Sequence, residues 1–260
     1  MKIATWNVNG IRARFEYLKL WIEDRQPDVV GLQELKTADE VFPYKAIEEL
    51  GYQALVHGQK AWNGVAVLVK NGIECESTQI GLPGQDDFGA RLITATIDGL
   101  VFSTVYCPNG KNTEHEDFPR KLAWFDALFS HFDERYSRDD NLILCGDFNI
   151  CPAPLDSWNE EEFNGSIFHT DAERERMQRF EDWGLTDAYR QQHPGIQAFS
   201  WWDYRRMAFR YGQGLRIDLI LTTPSVAGRM TSIEIDRDFR KKKEGLTASD
   251  HAPVIAELTS

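Results

Sequence analysis

The chain has 260 residues, 42% of them hydrophobic, which is enough for a full core without disulfide staples. No linker, low-complexity tract or tandem repeat divides it, so a single domain over 1–260 is expected. A net charge of −12 argues at first against a nucleic-acid partner, but residues 205–216 hold four arginines and no acid, and residues 237–243 hold five basic residues and one acid.

Residues 2–9 enter a strand pattern at once, with no charged n-region and apolar h-region ahead of it, so no secretory leader is expected. Phe15, Leu18, Trp21 and Ile22 then share one helical face, and residues 28–34 read as a second strand. Thr37-x-x-Glu40 is a weak capping box, with Pro43 close behind. Strands follow at 64–70, 92–97 and 100–106, the last two joined by a hairpin turn at Asp98-Gly99. Leu122, Phe125, Leu128, Phe129 and Phe132 mark a second amphipathic helix, and the apolar run 141–148 a further strand. Thr170-x-x-Glu173 is a capping box for a helix running to about Trp183, with Gly184 as its stop. Strands at 215–222 and 252–258 close the series.

This order is α/β, with too many adjacent strands for one doubly wound sheet; two packed sheets with helices outside fit it. The cysteines at 75, 107, 145 and 151 lack paired spacing, and no apolar run approaches the ~20 residues of a membrane span. A reduced, cytoplasmic location is expected.

The strand ends carry the chemistry. Asn7 and Asn9 close the first strand, Glu34 the second, and Tyr106 and Asn109 the strand at 100–106. Asp147 and Asn149 share one face where the run 141–148 leaves the core. Asp218 is an acid within the apolar run Leu215–Leu221, and Asp250-His251 precedes the last strand. Singly, most of these residues are ordinary turn formers. Asp218 is not, because an ionised group in an apolar strand needs a partner, and His251 is the natural one. Asp250 is not expected to hold that ring, since neighbours in an extended chain face opposite ways. Together they offer oxygen ligands for a hard ion, Mg²⁺ or Mn²⁺, with a base and His and Tyr donors beside it. That is what phosphodiester hydrolysis requires. No Gly-x-Ser-x-Gly elbow, P-loop, Rossmann fingerprint or His-Glu-x-x-His competes with it.

The motifs Trp6-Asn7-Val8-Asn9-Gly10, Leu32-Gln33-Glu34, Gly146-Asp147-Phe148-Asn149, Ser200-Trp201-Trp202-Asp203-Tyr204-Arg205, Gly214-Leu215-Arg216-Ile217-Asp218 and Ser249-Asp250-His251 resemble the exonuclease III family of apurinic/apyrimidinic (AP) endonucleases, within the endonuclease/exonuclease/phosphatase superfamily. The resemblance runs essentially end to end. It implies a four-layer α/β sandwich of two mixed sheets flanked by helices. It implies a metal group of Asn7, Glu34, Asp147, Asn149, Asp250 and His251, with Glu34 the main ligand and Mg²⁺ the ion, Mn²⁺ substituting. Asp147, assisted by Asn149, would activate water; His251, held by Asp218 and joined by Tyr106, would contact the phosphate. Asn109, Lys111, Arg205, Trp201, Leu215 and Ile217 would meet DNA, the apolar three lining a pocket for an abasic sugar.

The implied activity is a nick 5′ to an abasic site that leaves a 3′-hydroxyl, with 3′-repair diesterase and 3′→5′ exonuclease activity. The implied partner is double-stranded DNA with abasic sites or blocked 3′ ends, bound by a monomer at the nucleoid. A same-fold phosphatase for a small molecule or lipid, and a catalytically silent nucleic-acid-binding regulator, are the alternatives.

Overall fold

The computed structural model describes residues 1–259. Its strands are β1 (Lys2–Asn7), β2 (Val29–Gln33), β3 (Tyr52–His57), β4 (Val65–Lys70), β5 (Cys75–Ile80), β6 (Leu92–Ile97), β7 (Leu100–Tyr106), β8 (Leu142–Asp147), β9 (Thr186–Asp187), β10 (Asp218–Thr222), β11 (Met230–Ile235) and β12 (Val254–Leu258). They form two six-stranded sheets, ordered β11-β12-β1-β2-β4-β3 and β5-β6-β7-β8-β10-β9. The β1–β2 and β7–β8 pairs are parallel and the others antiparallel, so both sheets are mixed.

Alternation along each strand decides what it packs against. Ile3, Val67, Phe102, Ile143, Cys145 and Ile220 point inward and meet between the sheets. Their neighbours Ala4, Val30 and Leu32 face outward under α1 (Ile11–Arg25), against Tyr17, Leu18 and Trp21. On the opposite side, Leu142, Leu144 and Leu219 meet Trp124, Phe125 and Phe132 of a long helix, Asp117–Arg135, and Met177 and Phe180 of another, Asp171–Trp183. Helix, sheet, sheet and helix make four layers, as the resemblance implies.

The Thr170 capping box forms: the Thr170 hydroxyl accepts from the Glu173 N–H, and the Glu173 carboxylate accepts from the Thr170 N–H. The Asp98-Gly99 hairpin joins β6 and β7 with Ile97 opposite Leu100. Thr37 opens no helix; a short 3₁₀ turn spans Asp39–Val41, and α2 (Tyr44–Glu49) starts only after Pro43.

Four strands escape the sequence reading: β3, β5, β9 and β11. All four are sheet edges. An edge strand is half-solvated and carries polar residues, so its apolar signal is weak. Residues 215–217, expected within a strand, lie outside the ladder, which starts at Asp218. Leu215 is instead bridged to Trp201 and Ser157.

Candidate active site

The two sheets bring their strand ends together at one rim. In the second sheet Asp147 ends β8, with Tyr106 beside it on β7 and Asp218 beside it on β10. Gly146, just before Asp147, is obligatory: at φ 144 a Cβ would lie 1.9 Å from the Val105 carbonyl oxygen. In the first sheet Asn7 ends β1, and Glu34 follows β2 in a left-handed conformation, φ 52. His251 leads into β12. Glu34, Asp147 and His251 each offer one ligand atom, all within 4.8 Å of one another.

Hydrogen bonds hold this trio in place. Asn7 Nδ2 donates to Glu34 Oε1 at 2.8 Å and to Asp147 Oδ2 at 2.9 Å. Asp147 Oδ1 accepts the Asn149 N–H at 2.9 Å. Lys36 Nζ pairs with Glu34 Oε2 at 2.8 Å. Burial alone would raise the Glu34 pKa; the Lys36 ammonium and the Asn7 amide outweigh it, and the pKa falls below the usual range. Asp147 goes the other way. Burial lifts it to about 7, with help from the Asp218 and Glu34 charges and against the pull of His251.

His251 Nδ1 faces both Asp218 oxygens, at 2.9 and 3.1 Å, so its Nε2 points to Asp147 Oδ2, 3.8 Å away. Burial would lower its pKa, but Asp218, Asp147 and Asp250 raise it to about 10. The ring is therefore a cation at neutral pH, with one donor fixed and one free. Tyr106 is driven well above its usual pKa by burial and by the Glu34 and Asp147 charges, so it stays a neutral donor. Beside His251, whose backbone bridges to Trp201, an open cavity of about 650 Å³ is walled by Trp158, Phe163, Phe168, Trp201 and Leu215.

Residues 4–251 match the endonuclease/exonuclease/phosphatase family profile. The chain belongs to that family. It is 37% identical to exodeoxyribonuclease III of Haemophilus influenzae, covering 99% of this chain and 100% of the relative. Among solved structures, an AP endonuclease from Archaeoglobus fulgidus superposes with a TM-score of 0.94 at 30% identity, both chains fully covered. The 3′ phosphatase NExo from Neisseria, bound to a product DNA hairpin, superposes at 0.92 with 37% identity, again over both full chains.

Within this family framework the other expected metal residues, Asn7, Asn149 and Asp250, are hydrogen-bonded to neighbours in the protein. Asn7 turns its donor nitrogen to the carboxylates, while its Oδ1 accepts from the Asn9 N–H. Asn149 donates to the Cys107 carbonyl and accepts from Asn109 Nδ2 at 3.3 Å, so both ends of its amide are engaged. Asp250 is held beside the trio: Asn9 Nδ2 donates to its Oδ1 at 2.8 Å and Trp201 Nε1 to its Oδ2 at 3.1 Å.

The residues expected to meet DNA divide between two hollows. Asn109 and Lys111 line one with Tyr106, Arg91 and Trp62; Trp201, Leu215 and Arg205 line the apolar cavity. Ile217 is buried behind the cavity wall rather than lining it. Lys111 pairs with Asp117 at 2.8 Å and Arg205 with Asp203 at 2.7 Å.

The basic runs also divide. Arg205, Arg206 and Arg210 are exposed, but Arg216 is buried against Asp156 and Asp187, at 2.6 and 2.7 Å. Arg240 is a strut, donating to the Asp250 and Trp202 carbonyls at 3.0 and 3.1 Å.

Some contributors have no sequence signal of their own. The Ser200 hydroxyl accepts the Ile217 and Asp218 N–H groups, setting where the acid enters β10. Ser249 Oγ donates to the Asn7 carbonyl and accepts the His251 N–H, tying the segment before β12 to the end of β1. Both serines open quoted motifs, and their membership there is the only hint a sequence offers.

The described residues include no helix long and apolar enough to cross a membrane. All four cysteines are free.

Proposed function

We propose that this chain is a metal-dependent DNA-repair phosphodiesterase that cleaves duplex DNA 5′ to an abasic site, leaves a 3′-hydroxyl, and also clears blocked and ordinary 3′ ends. The observation that carries this reading is the convergence of Glu34, Asp147 and an Asp218-held His251 beside an apolar cavity.

The donor set fits a hard divalent cation. Two carboxylates meet beside His251, and burial, with the Asp218 and Glu34 charges adding to it, makes an ionised Asp147 costly unless a cation offsets it. Glu34 and Asp147 would hold it, and oxygen donors favour Mg²⁺ or Mn²⁺ over zinc. Bound there, such an ion offsets phosphate charge.

The chain's own residues supply the rest. Asp147, fixed by Asn7 and the Asn149 N–H, takes the proton of the attacking water. His251 donates from Nε2 to a phosphate oxygen while Asp218 holds Nδ1, and Tyr106 adds a neutral donor. The cavity wall of Phe168, Trp201 and Leu215 suits a sugar without its base. Such a nucleotide is cheap to extrude, having no pairing and little stacking to lose.

The test is a duplex oligonucleotide carrying one abasic analogue, incubated with the protein and Mg²⁺. One nick 5′ to the lesion, with an extendable 3′-hydroxyl and none after EDTA, is expected. An intact strand would refute the reading.

A further inference from the structure

Lys121 lies within the helix Asp117–Arg135 and has no contact with the trio, yet its side chain is fully buried. A buried ammonium is costly unless every proton is placed. Here each is: Lys121 Nζ donates to Glu173 Oε1 at 2.5 Å, to the Asn149 carbonyl at 2.7 Å and to the Asn109 carbonyl at 3.2 Å. Three donors meet three acceptors from three separate segments.

Two of those segments present the active-site amides. Asn149 sits in a left-handed conformation, φ 51, which asparagine tolerates better than most residues. Its carbonyl is held by Lys121 and its N–H holds Asp147 Oδ1, so one peptide step separates the ammonium from the proposed base. Asn109 reaches Asn149 through its own amide. Gly110 makes room for the lysine stem: a Cβ there would lie 2.9 Å from Lys121 Cδ. The third segment is the cavity lip, since Glu173 Oε1 also accepts the Phe168 N–H at 3.1 Å and the Phe168 ring faces Nζ at 4.8 Å.

We propose that Lys121 is a positioning residue whose buried ammonium clamps the Asn109 and Asn149 loops, and through them Asp147, in the geometry for hydrolysis. The proposal rests on the nuclease reading above. A methionine would fill the same volume with no donors, and Glu173→Gln would remove the acid then left unpaired.

The experiment compares wild type, Lys121→Met and the double variant Lys121→Met/Glu173→Gln in the full chain, on abasic duplex with Mg²⁺. The double variant should melt within about 5 °C of wild type. Its kcat should still be at least about 20-fold lower, with KM within about threefold. Amide exchange at residues 109–111 and 149–151 should be about tenfold faster or more.

Recovery of kcat along with melting temperature, or unchanged exchange in both loops, would overturn the proposal. Should neither Met variant fold, Lys121→Arg decides, because it keeps the charge but shifts the donors: a kcat lowered about fivefold or more supports the clamp, and a smaller loss or a wild-type kcat overturns it. A wild type that does not cleave counts against the nuclease reading itself, and the exchange measurement then decides Lys121 alone.

Discussion

The indole N–H of Trp201 donates to Asp250 Oδ2 at 3.1 Å, so the cavity wall and the acid preceding His251 form one hydrogen-bonded unit. Asn9 takes the other oxygen, and Lys36 links Asn9 back to Glu34. A polar path therefore runs from the proposed sugar pocket to the proposed metal ligand.

Trp201→Phe keeps a ring in the wall but frees Asp250. Hydrogen bonds to charged groups contribute about 1.5–3 kcal/mol, less where solvent reaches, so kcat/KM should drop about three- to tenfold. Calorimetric Mn²⁺ titration should show weaker binding, while DNA affinity without metal stays unchanged. Metal binding equal to wild type would separate the two sites.

Asp218→Asn removes the largest factor raising His251. The histidine pKa of about 10 lies above its unfolded value, so its stabilising contribution is present below about pH 6.5 and is lost as pH rises through 10. In the variant, burial wins and the pKa falls. The alkaline limb of the pH–rate profile should move down by about one unit or more, with kcat about 100-fold lower. An unmoved limb would mean that His251 does not act as the cation.

Asp147→Asn should abolish turnover, by about 10³-fold or more, and yet stabilise the metal-free protein at pH 8. Asp147 has a folded pKa of about 7, raised above its unfolded value, so its favourable contribution is present below about pH 4 and lost through pH 7. Above that, an ionised buried acid is a burden that the amide lacks. Melting scans without metal should show the variant roughly 3 °C higher at pH 8, with the gap closing towards pH 4. Mg²⁺ should raise the wild-type melting temperature and leave the variant nearly unmoved.

The exposed arginines differ in how free they are. Arg206 is exposed and lines the cavity rim without an ion pair among the described residues, whereas Lys241 and Lys243 pair with Asp238. Arg206→Ala should lower the slope of log K against log salt for DNA binding by about 1. Lys241→Ala should change it far less. Equal slopes in the two variants would remove Arg206 from the DNA-facing surface.

Much of this arrangement was readable in the chain because strand ends announce themselves: an apolar run, a stop, then an acid or amide, as at Asp147 and Glu34. The edge strands were not, because half their residues face water and mimic loops. Partnerships across long separations were not readable either. Arg216 reads as one more basic residue in an arginine-rich stretch, yet its partners Asp156 and Asp187 lie 60 and 29 residues away and take it inside. Lys121 is the same case: a helix lysine reads as solvated until Glu173, 52 residues on, is found beside it.

β12 runs between β1 and β11, and the Ser249–His251 segment leads directly into it. The imidazole and the strand that completes the first sheet thus arrive together, late in the chain. During synthesis a half-made copy carries Glu34 and Asp147 but no His251, and its first strand lacks one neighbour. Finishing the sheet and bringing His251 to Glu34 and Asp147 are a single event.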